Sequence, residues 1–266
     1  MLTISELNIY PVKSLRGISL NSANVTDRGF KHDRRWMLVD GNGMFMTQRD
    51  FPQMAFINVE IKDDGLIVYN RNKNSNKHFI PFEIMQSRVI TVPIWDDTCS
   101  AVMVGRDSDK WFSEALGVEC KLVFQPEKTH RPVDEKYSKN NNELVSFADG
   151  YPFLIIGQSS LDDLNSKLEE PLPMNRFRPN IVFTGGKPFL EDEMKEFKIN
   201  NITFYGVKPC ARCAITTTDQ ETGERLHEPL KTLATYRKFD NKVMFGINLL
   251  NEGEGLIRVG DQIELL

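Results

Sequence analysis

Short apolar runs separated by turn residues fill the first part of the chain. Runs of this length between turn signals predict strands, here over residues 4–10, 18–25, 36–39, 54–61, 66–69 and 89–92. Gly41-Asn42-Gly43 tolerates positive φ angles and predicts a hairpin directly after the run at 36–39. We therefore expect an antiparallel, barrel-like sheet in this half.

A helical signature first becomes clear near residue 107. Asp107 is a good N-cap and Gly117 is a good C-terminal stop, so a helix is expected between them. A second helix is predicted to begin at Ser159 or Ser160, because leucines with helical spacing follow these serines. A third helix is predicted over residues 229–239.

The second half of the chain is predicted to be rich in strands as well, over residues 120–124, 180–184, 202–207, 214–218, 243–250, 256–259 and 262–265. Between residues 125 and 142 the sequence is polar and charged and contains Pro126 and Pro132, which is typical of an exposed connection. We therefore expect two domains, at residues 1–124 and 125–266, in a chain that is mainly β with a few helices (α+β).

The composition excludes several classes of protein. The 266 residues carry 33 Lys and Arg against 37 Asp and Glu, and this formal net charge of −4 gives no long-range attraction for nucleic acid. No apolar run approaches the roughly 18 residues that span a membrane, and the opening residues do not resemble a secretory leader. We expect a cytoplasmic protein whose 4 cysteines stay reduced.

The sharpest local feature is Cys210-Ala211-Arg212-Cys213. A thioredoxin-like dithiol would need a helix after the second cysteine, whereas residues 214–218 favour a strand. A zinc site would need further close ligands, and Cys99 and Cys120 are far apart in sequence. One thiolate could instead ligate a thiophilic metal whose other ligands arrive with a cofactor. Packing of both cysteines within a strand is the purely structural alternative.

Cationic and polar side chains follow apolar runs at several points. They could hold the phosphate and the heterocycle of an anionic cofactor, although a lone lysine or arginine at a strand end is more often solvated. The candidates are Lys13, Ser14, Arg34, Arg178 and Asn180, together with Asp149 in a short polar turn. Only their convergence in space would make a binding site.

Several motifs in a fixed order are more specific than any one of them. They are Tyr10-Pro11-Val12-Lys13-Ser14-x-x-Gly17, Asp33-Arg34-x-Trp36, Phe177-Arg178-Pro179-Asn180-Ile181, Cys210-x-x-Cys213 with Thr216-Thr217, Asp219-x-x-Thr222-Gly223 and Val259-Gly260-Asp261. Together they resemble the MOSC family, proteins similar to the C-terminal domain of molybdenum cofactor sulfurase, and most of all its amidoxime-reducing component branch. The resemblance runs from end to end and implies an N-terminal β-barrel domain followed by a MOSC-type β-barrel domain.

The same resemblance implies a molybdenum ion held by a pterin dithiolene and by one cysteine thiolate, which falls on Cys213. Positions that bind the molybdenum pterin cofactor and its phosphate fall on Lys13, Ser14, Arg34, Arg178 and Asn180. Asp149 matches a residue near the metal and would handle protons. Gly150-Tyr151 departs from the small hydroxyl residues of similar proteins, so the substrate range is expected to differ.

The activity implied by the resemblance is that of a molybdenum cofactor-dependent oxidoreductase that reduces small N-hydroxylated compounds. The sequence contains no C-x₄-C-x₂-C run of an iron–sulfur domain, so we expect electrons from a separate reductase or ferredoxin-like partner. The alternative function is that of a cofactor carrier or sulfur-transfer protein, in which Cys213 bears a transferable sulfur.

Overall fold

The computed structural model describes residues 1–73, 76–85 and 88–266. Strands of the first half are β1 Leu2–Ile9, β2 Ile18–Leu20, β3 Ser22–Thr26, β4 Gly29–Phe30, β5 Trp36–Val39, β6 Ile57–Ile61, β7 Gly65–Asn70, β8 His78–Pro81, β9 Val89–Ile94, β10 Asp97–Met103 and β11 Lys121–Phe124. Helix α1 covers Arg106–Leu116, and Gly117 ends it with a left-handed φ of 72°, as predicted. Gly105 is the N-cap instead of Asp107, which lies in the first turn, where its charge favours the helix dipole.

Strands of the second half are β12 Phe153–Gly157, β13 Ile181–Thr184, β14 Glu196–Ile199, β15 Ile202–Ala211, β16 Lys238–Phe239, β17 Lys242–Glu252, β18 Gly255–Arg258 and β19 Gln262–Leu265. Helices α2 and α3 cover Gln158–Asn165 and Leu230–Leu233. The predicted serine cap of α2 is wrong, because Gly157 is the N-cap and Ser160 donates its hydroxyl to Glu191 at 2.8 Å. Within the described ranges, every helix is too short or too polar to cross a membrane.

The predicted strand at 214–218 is wrong. Residues Ala214–Thr217 form a 3₁₀ helix in which the Thr216 and Thr217 hydroxyls donate to the Cys213 and Ala214 carbonyls, at 3.0 and 2.8 Å. Threonine favours strands through its branched Cβ, but here its hydroxyl satisfies backbone acceptors of a tight turn.

The predicted helix at 229–239 is confirmed only over its first turn. Lys238 and Phe239 pair with Val243 and Lys242 to make the hairpin of β16 and β17. Its two turn residues, Asp240 and Asn241, have φ angles of 46° and 61°, which short polar side chains tolerate. Similarly, the predicted strand at 54–61 begins as a 3₁₀ helix over Pro52–Phe56, because Pro52 sets a turn before β6.

A closed barrel forms the centre of the second half, confirming the predicted β-barrel architecture. Its strands run in the order β12, β13, β1, β19, β14, β15, β17, and β17 pairs with β12 to close it. The interior is filled by apolar side chains that include Leu7, Phe153, Ile155, Phe197 and Ile247, each almost fully buried. The first strand of the chain thus belongs to a barrel built otherwise from residues 153–265.

Two smaller sheets, β5-β11-β10-β9 and β6-β7-β8, form the other half of the molecule. Helix α1 packs its buried Phe112 against a core that includes Trp36, Leu38, Leu66 and Leu122. The chain passes into this half directly after β1, where Val12 makes a parallel bridge to Trp36. Residues that follow β1 are therefore held between the barrel and the N-terminal sheets. The division at residue 125 stays a prediction.

Candidate functional site

A cleft lies between the barrel and the N-terminal sheets. The structure brings together in its lining all the residues that the sequence singled out: Lys13, Ser14, Arg34, Asp149, Arg178, Asn180 and Cys213. They come from segments that are up to 200 positions apart along the chain, from Lys13 to Cys213. The sequence could not show whether these side chains lie close together, and the fold places all of them in one cleft.

Cys213 lies where β15 has ended and the 3₁₀ helix of Ala214–Thr217 begins. Its side chain is half-buried in the cleft lining, and no described residue makes a hydrogen bond to its sulfur. Cys210 also lines the cleft, but its sulfur accepts a hydrogen bond from the Arg212 guanidinium at 2.9 Å. The two thiols therefore differ, and Cys213 is the one left for an external partner.

The other two cysteines lie outside the described lining of the cleft. Cys99 and Cys120 are buried in separate clusters of the N-terminal half, and burial raises the pKa of both thiols, that of Cys120 to about 11. Across the described part of the chain, no group of three or more His, Cys, Asp or Glu side chains could hold a metal ion. A zinc site with Cys210 and Cys213 thus lacks its other ligands.

Lys13 is buried at the base of the cleft, 5% exposed. Its ammonium donates to the Phe147 carbonyl at 2.8 Å and to the Asp149 carboxylate at 2.5 Å. Burial lowers the pKa of Lys13, while the charge and hydrogen bond of Asp149 oppose this shift. A desolvated cation with one carboxylate partner is suited to bind an anion that enters the cleft.

The Asp149 carboxylate is held by two donors, Lys13 and the Trp95 indole N–H, the latter at 3.1 Å. Desolvation raises the pKa of this carboxyl, but the charge of Lys13 and the two hydrogen bonds outweigh it and hold the pKa well below its usual range. Although 64% of the side chain is exposed, Asp149 is therefore ionised at neutral pH.

Arg34 is fixed by a buried polar network. Its guanidinium donates to Asp33 at 2.6 Å and to the Asn180 side-chain oxygen at 3.2 Å. Asn180, 1% exposed, also donates to Asp33 and to the Asn8 carbonyl and accepts from the Leu154 N–H. All the hydrogen-bonding capacity of the Asn180 amide is thus used within the protein, so this residue orients Arg34 at the cleft wall.

Arg178 contrasts with Arg34 because its guanidinium makes no hydrogen bond or ion pair within the described structure. It lies over the Tyr10 ring, 4.1 Å from the centroid, and the Arg34 guanidinium lies 4.4 Å from the same centroid. Burial lowers the pKa of Arg178 to about 10, and the nearby charge of Arg34 adds to this shift. A stacked guanidinium whose donors are free in a cleft can bind a phosphate through two hydrogen bonds.

Sequence reasoning missed Arg49, which lines the cleft, and its neighbour Trp95. The Arg49 guanidinium carbon lies 4.1 Å from the centroid of the Trp95 ring. Neither residue lies in a motif. Both lie in turns outside the strands, so the fold had to be known before their side chains could be seen to meet.

The charges of the lining have one dominant sign. Among the residues that the structure describes, five cationic side chains line the cleft against one carboxylate, that of Asp149. The five are Lys13, Arg34, Arg49, Arg178 and Arg212. A soft thiol without an internal partner, donors for phosphate and a cationic wall fit an anionic cofactor that carries a thiophilic metal. The residues present therefore fit a molybdenum pterin cofactor.

Fold and site together define a two-part β protein with a cationic, thiol-lined cleft between its parts. In agreement, residues 1–119 match the family "MOSC N-terminal beta barrel domain", and residues 142–264 match the family "MOSC domain". The chain belongs to the MOSC family.

The similar proteins cover nearly the whole chain. It is 33% identical to "Mitochondrial amidoxime reducing component 2" of Bos taurus, over 98% of this chain and 82% of that protein. It is also 33% identical to "Mitochondrial amidoxime-reducing component 1" of Mus musculus, over 99% of this chain and 82% of that protein. The "Molybdenum cofactor sulfurase" of Solanum lycopersicum is 30% identical, over 98% of this chain but only 35% of that longer protein.

Proposed function

We propose that the protein binds a molybdenum pterin cofactor in the cleft and reduces small N-hydroxylated compounds. The observation that carries this proposal is the pairing of a half-buried thiol, Cys213, with a wall of cations in one cavity. Its similarity to proteins named amidoxime-reducing components supports the type of reaction. Cys213 is the proposed metal ligand, because Cys210 already accepts a hydrogen bond from Arg212.

Each remaining residue has a proposed task set by its surroundings. Arg178, with free donors, and Lys13, buried at the cleft base, would bind the phosphate and other anionic groups of the cofactor. Ser14 would donate its hydroxyl from the loop that follows β1. Arg34 would contact the cofactor in an orientation fixed by Asp33 and Asn180. The group, when bound, supplies the two electrons for cleavage of an N–O bond.

The reaction also consumes two protons, since an N-hydroxylated compound, two electrons and two protons give the reduced nitrogen compound and water. Asp149 is the carboxyl that we propose to move a proton at the cleft mouth. Lys13 holds its pKa low, and an anion bound at Lys13 would compensate that charge and return proton affinity to the Asp149 oxygens. The electrons are proposed to come from a separate reductase or ferredoxin-like protein.

The test uses protein purified from a host that makes the cofactor. We expect about one molybdenum per chain, pterin fluorescence, and turnover of benzamidoxime with reduced methyl viologen as electron donor. Cys213→Ala should lower turnover by at least about 100-fold while the circular dichroism spectrum stays unchanged, because the only protein ligand of the metal is lost.

Two further variants make this experiment specific. Cys120→Ala, at a buried cysteine beside Ser113 of α1 and outside the described cleft lining, is the matched control and should keep both metal and turnover. Cys210→Ala separates the models of the cysteine pair: metal content persists if one thiolate suffices, and is lost if both thiols are needed. Full turnover by Cys213→Ala would end the proposal.

The match to molybdenum cofactor sulfurase supports a second candidate function, that of a cofactor carrier or sulfur-transfer protein using Cys213. Both functions need the same cleft, so they differ only in what the purified protein does. Sustained turnover of benzamidoxime identifies the reductase. Transfer of pterin or sulfur to a cofactor-free molybdoenzyme, without turnover, identifies the carrier.

A further inference from the structure

Trp95 has an unusual conformation beside the cleft, in contact with two residues of its lining. It lies in the turn between β9 and β10, and its φ of 56° is a left-handed conformation that a bulky side chain rarely adopts. The residue is also 45% exposed, although a large aromatic side chain gains most by burial. Backbone strain together with an exposed ring calls for a reason beyond the folding of a hairpin.

The contacts of Trp95 tie the hairpin to the candidate site. Its indole N–H donates to Asp149 at 3.1 Å, and the Arg49 guanidinium lies over its ring at 4.1 Å. Phe45 packs edge-on against it at 5.3 Å between centroids, and the Lys13 ammonium lies 5.7 Å from the Phe45 ring. The Trp95 ring thus lies beside two residues of the cleft lining, Arg49 and Asp149, and is held there without being enclosed.

We propose that Trp95 is a specificity-determining residue: its ring is the platform on which N-hydroxylated substrates with a planar aromatic group stack, and its indole N–H orients Asp149 beside them. This inference rests on the proposed function and names the substrate class that the site prefers. A planar ring gains stacking and buried area against an indole, whereas a small aliphatic substrate gains neither.

The stacking surface explains the two features that folding leaves unexplained. An exposed indole offers a face to a ligand, and its bond to Asp149 sets that face next to a group proposed to move protons. Arg49 already shows that a planar, delocalised group can lie against this ring. A planar substrate would either share the ring with Arg49 or displace it.

Two variants separate the roles of the ring and the N–H. Trp95→Ala should raise KM for benzamidoxime by about tenfold, leave KM for acetamidoxime unchanged, and lower kcat for both by about fivefold. Trp95→Phe keeps a ring but loses the N–H, so it should restore KM for benzamidoxime while kcat stays low for both compounds. A residue with only a structural role would change both substrates in parallel.

Trp111→Phe is the matched control, because Trp111 belongs to α1, donates to the Asn76 carbonyl and lies outside the described cleft lining. It should behave as the unmodified protein. Equal loss of affinity for the two substrates in Trp95→Ala would overturn the inference while the proposed function stands.

Absence of turnover with every N-hydroxylated compound would refute the proposed function instead. The stacking site then has its own readout, which is quenching of indole fluorescence by benzamidoxime in Trp111→Phe but not in Trp95→Phe. Equal quenching in both variants would overturn the inference by this route as well.

Discussion

Three residues of the candidate site have a backbone conformation that most side chains avoid. Ser14, Arg34 and Arg178 have φ angles of 65°, 49° and 54°. For residues other than glycine this region costs about 1–2 kcal/mol each. Each of the three nevertheless carries a side chain that lines the cleft, where glycine would offer no donor. The strained backbone therefore occurs at positions where it directs a cation or a hydroxyl into the cleft.

Glu191 is a buried carboxyl whose burial disfavours its charged form. Its carboxyl is completely buried, with one oxygen bonded to Ser160 and the other, within the described structure, without a partner. Burial raises its pKa from 4.5 to about 7, so the folded protein binds a proton that the unfolded chain releases. Its contribution to stability is present below the unfolded pKa and is lost as pH rises through the folded pKa.

Glu191→Gln, which mimics the protonated acid, should therefore stabilise the protein at pH 8 by about 2–3 kcal/mol and change little at pH 4. Urea unfolding at both pH values measures this difference. Glu191 and Glu193 belong to the same 3₁₀ helix, Leu190–Glu193. Glu193→Gln is the control, because Glu193 is exposed and pairs with Lys187 on the surface. A gain of equal size at pH 4 and pH 8 would contradict the titration of Glu191.

At the scale of elements, the connections hold the site together more than the strands do. The buried Gln48 amide donates to the Ser14 carbonyl at 2.8 Å and accepts from Gln220 at 2.9 Å. It thus joins the loop after β1 to the loop that follows Cys213. The neighbouring Glu221 pairs with Arg16 and Arg71 and strengthens the same connection.

Gln48→Ala should cost about 2–3 kcal/mol of unfolding free energy, since the buried Ser14 carbonyl loses its donor and the Gln220 amide keeps only its bond to the Thr218 carbonyl. Molybdenum content should fall with it, because two loops of the cleft lose their common support. Gln158→Ala makes the same chemical change at the start of α2 and should be nearly neutral, because among the described residues this exposed amide bonds only to Asp162. Denaturant unfolding and metal analysis of both variants provide the comparison. Equal losses of stability and molybdenum in the two variants would contradict the role of Gln48 as a support of the cleft.

Elements with strong local signals were predictable from sequence, and those decided by side-chain hydrogen bonds were not. The strand at 36–39 was correct because every one of its residues is apolar and buried. The region 214–218 was misread because the threonine hydroxyls bond to the chain three residues back, which favours a 3₁₀ turn over a strand. A propensity scale reflects the branched Cβ of threonine. It does not reflect the hydrogen bond that the hydroxyl makes to a backbone carbonyl in this particular turn.

On the scale of the whole molecule, charge is segregated. The chain carries a net charge of −4, yet the described lining of its main cleft is predominantly cationic. Motif order located these cations in the sequence except Arg49, whose place depends on the packing of the two halves. An anionic ligand is thus attracted to one concavity of a protein that otherwise repels it.

Arg178→Gln should reduce the molybdenum pterin retained after gel filtration in 0.5 M salt by about tenfold, because a charge-assisted pair of hydrogen bonds is lost. Arg258→Gln removes the same charge from the exposed strand β18 and should retain the cofactor fully. Elemental analysis of the two eluates decides the matter. If the two variants retain equal amounts of cofactor, Arg178 has no special role in binding it.

The pairing of β1 has a consequence for synthesis of the protein. Leu7 pairs with Ile181 and Leu2 with Ile263, so β1 waits for strands that are synthesised long after it. The barrel cannot close until β19 has been synthesised. Until then β1 can pair with β2, but the edge that β19 covers stays open. The cleft, which borders β1, is therefore completed only when the barrel closes.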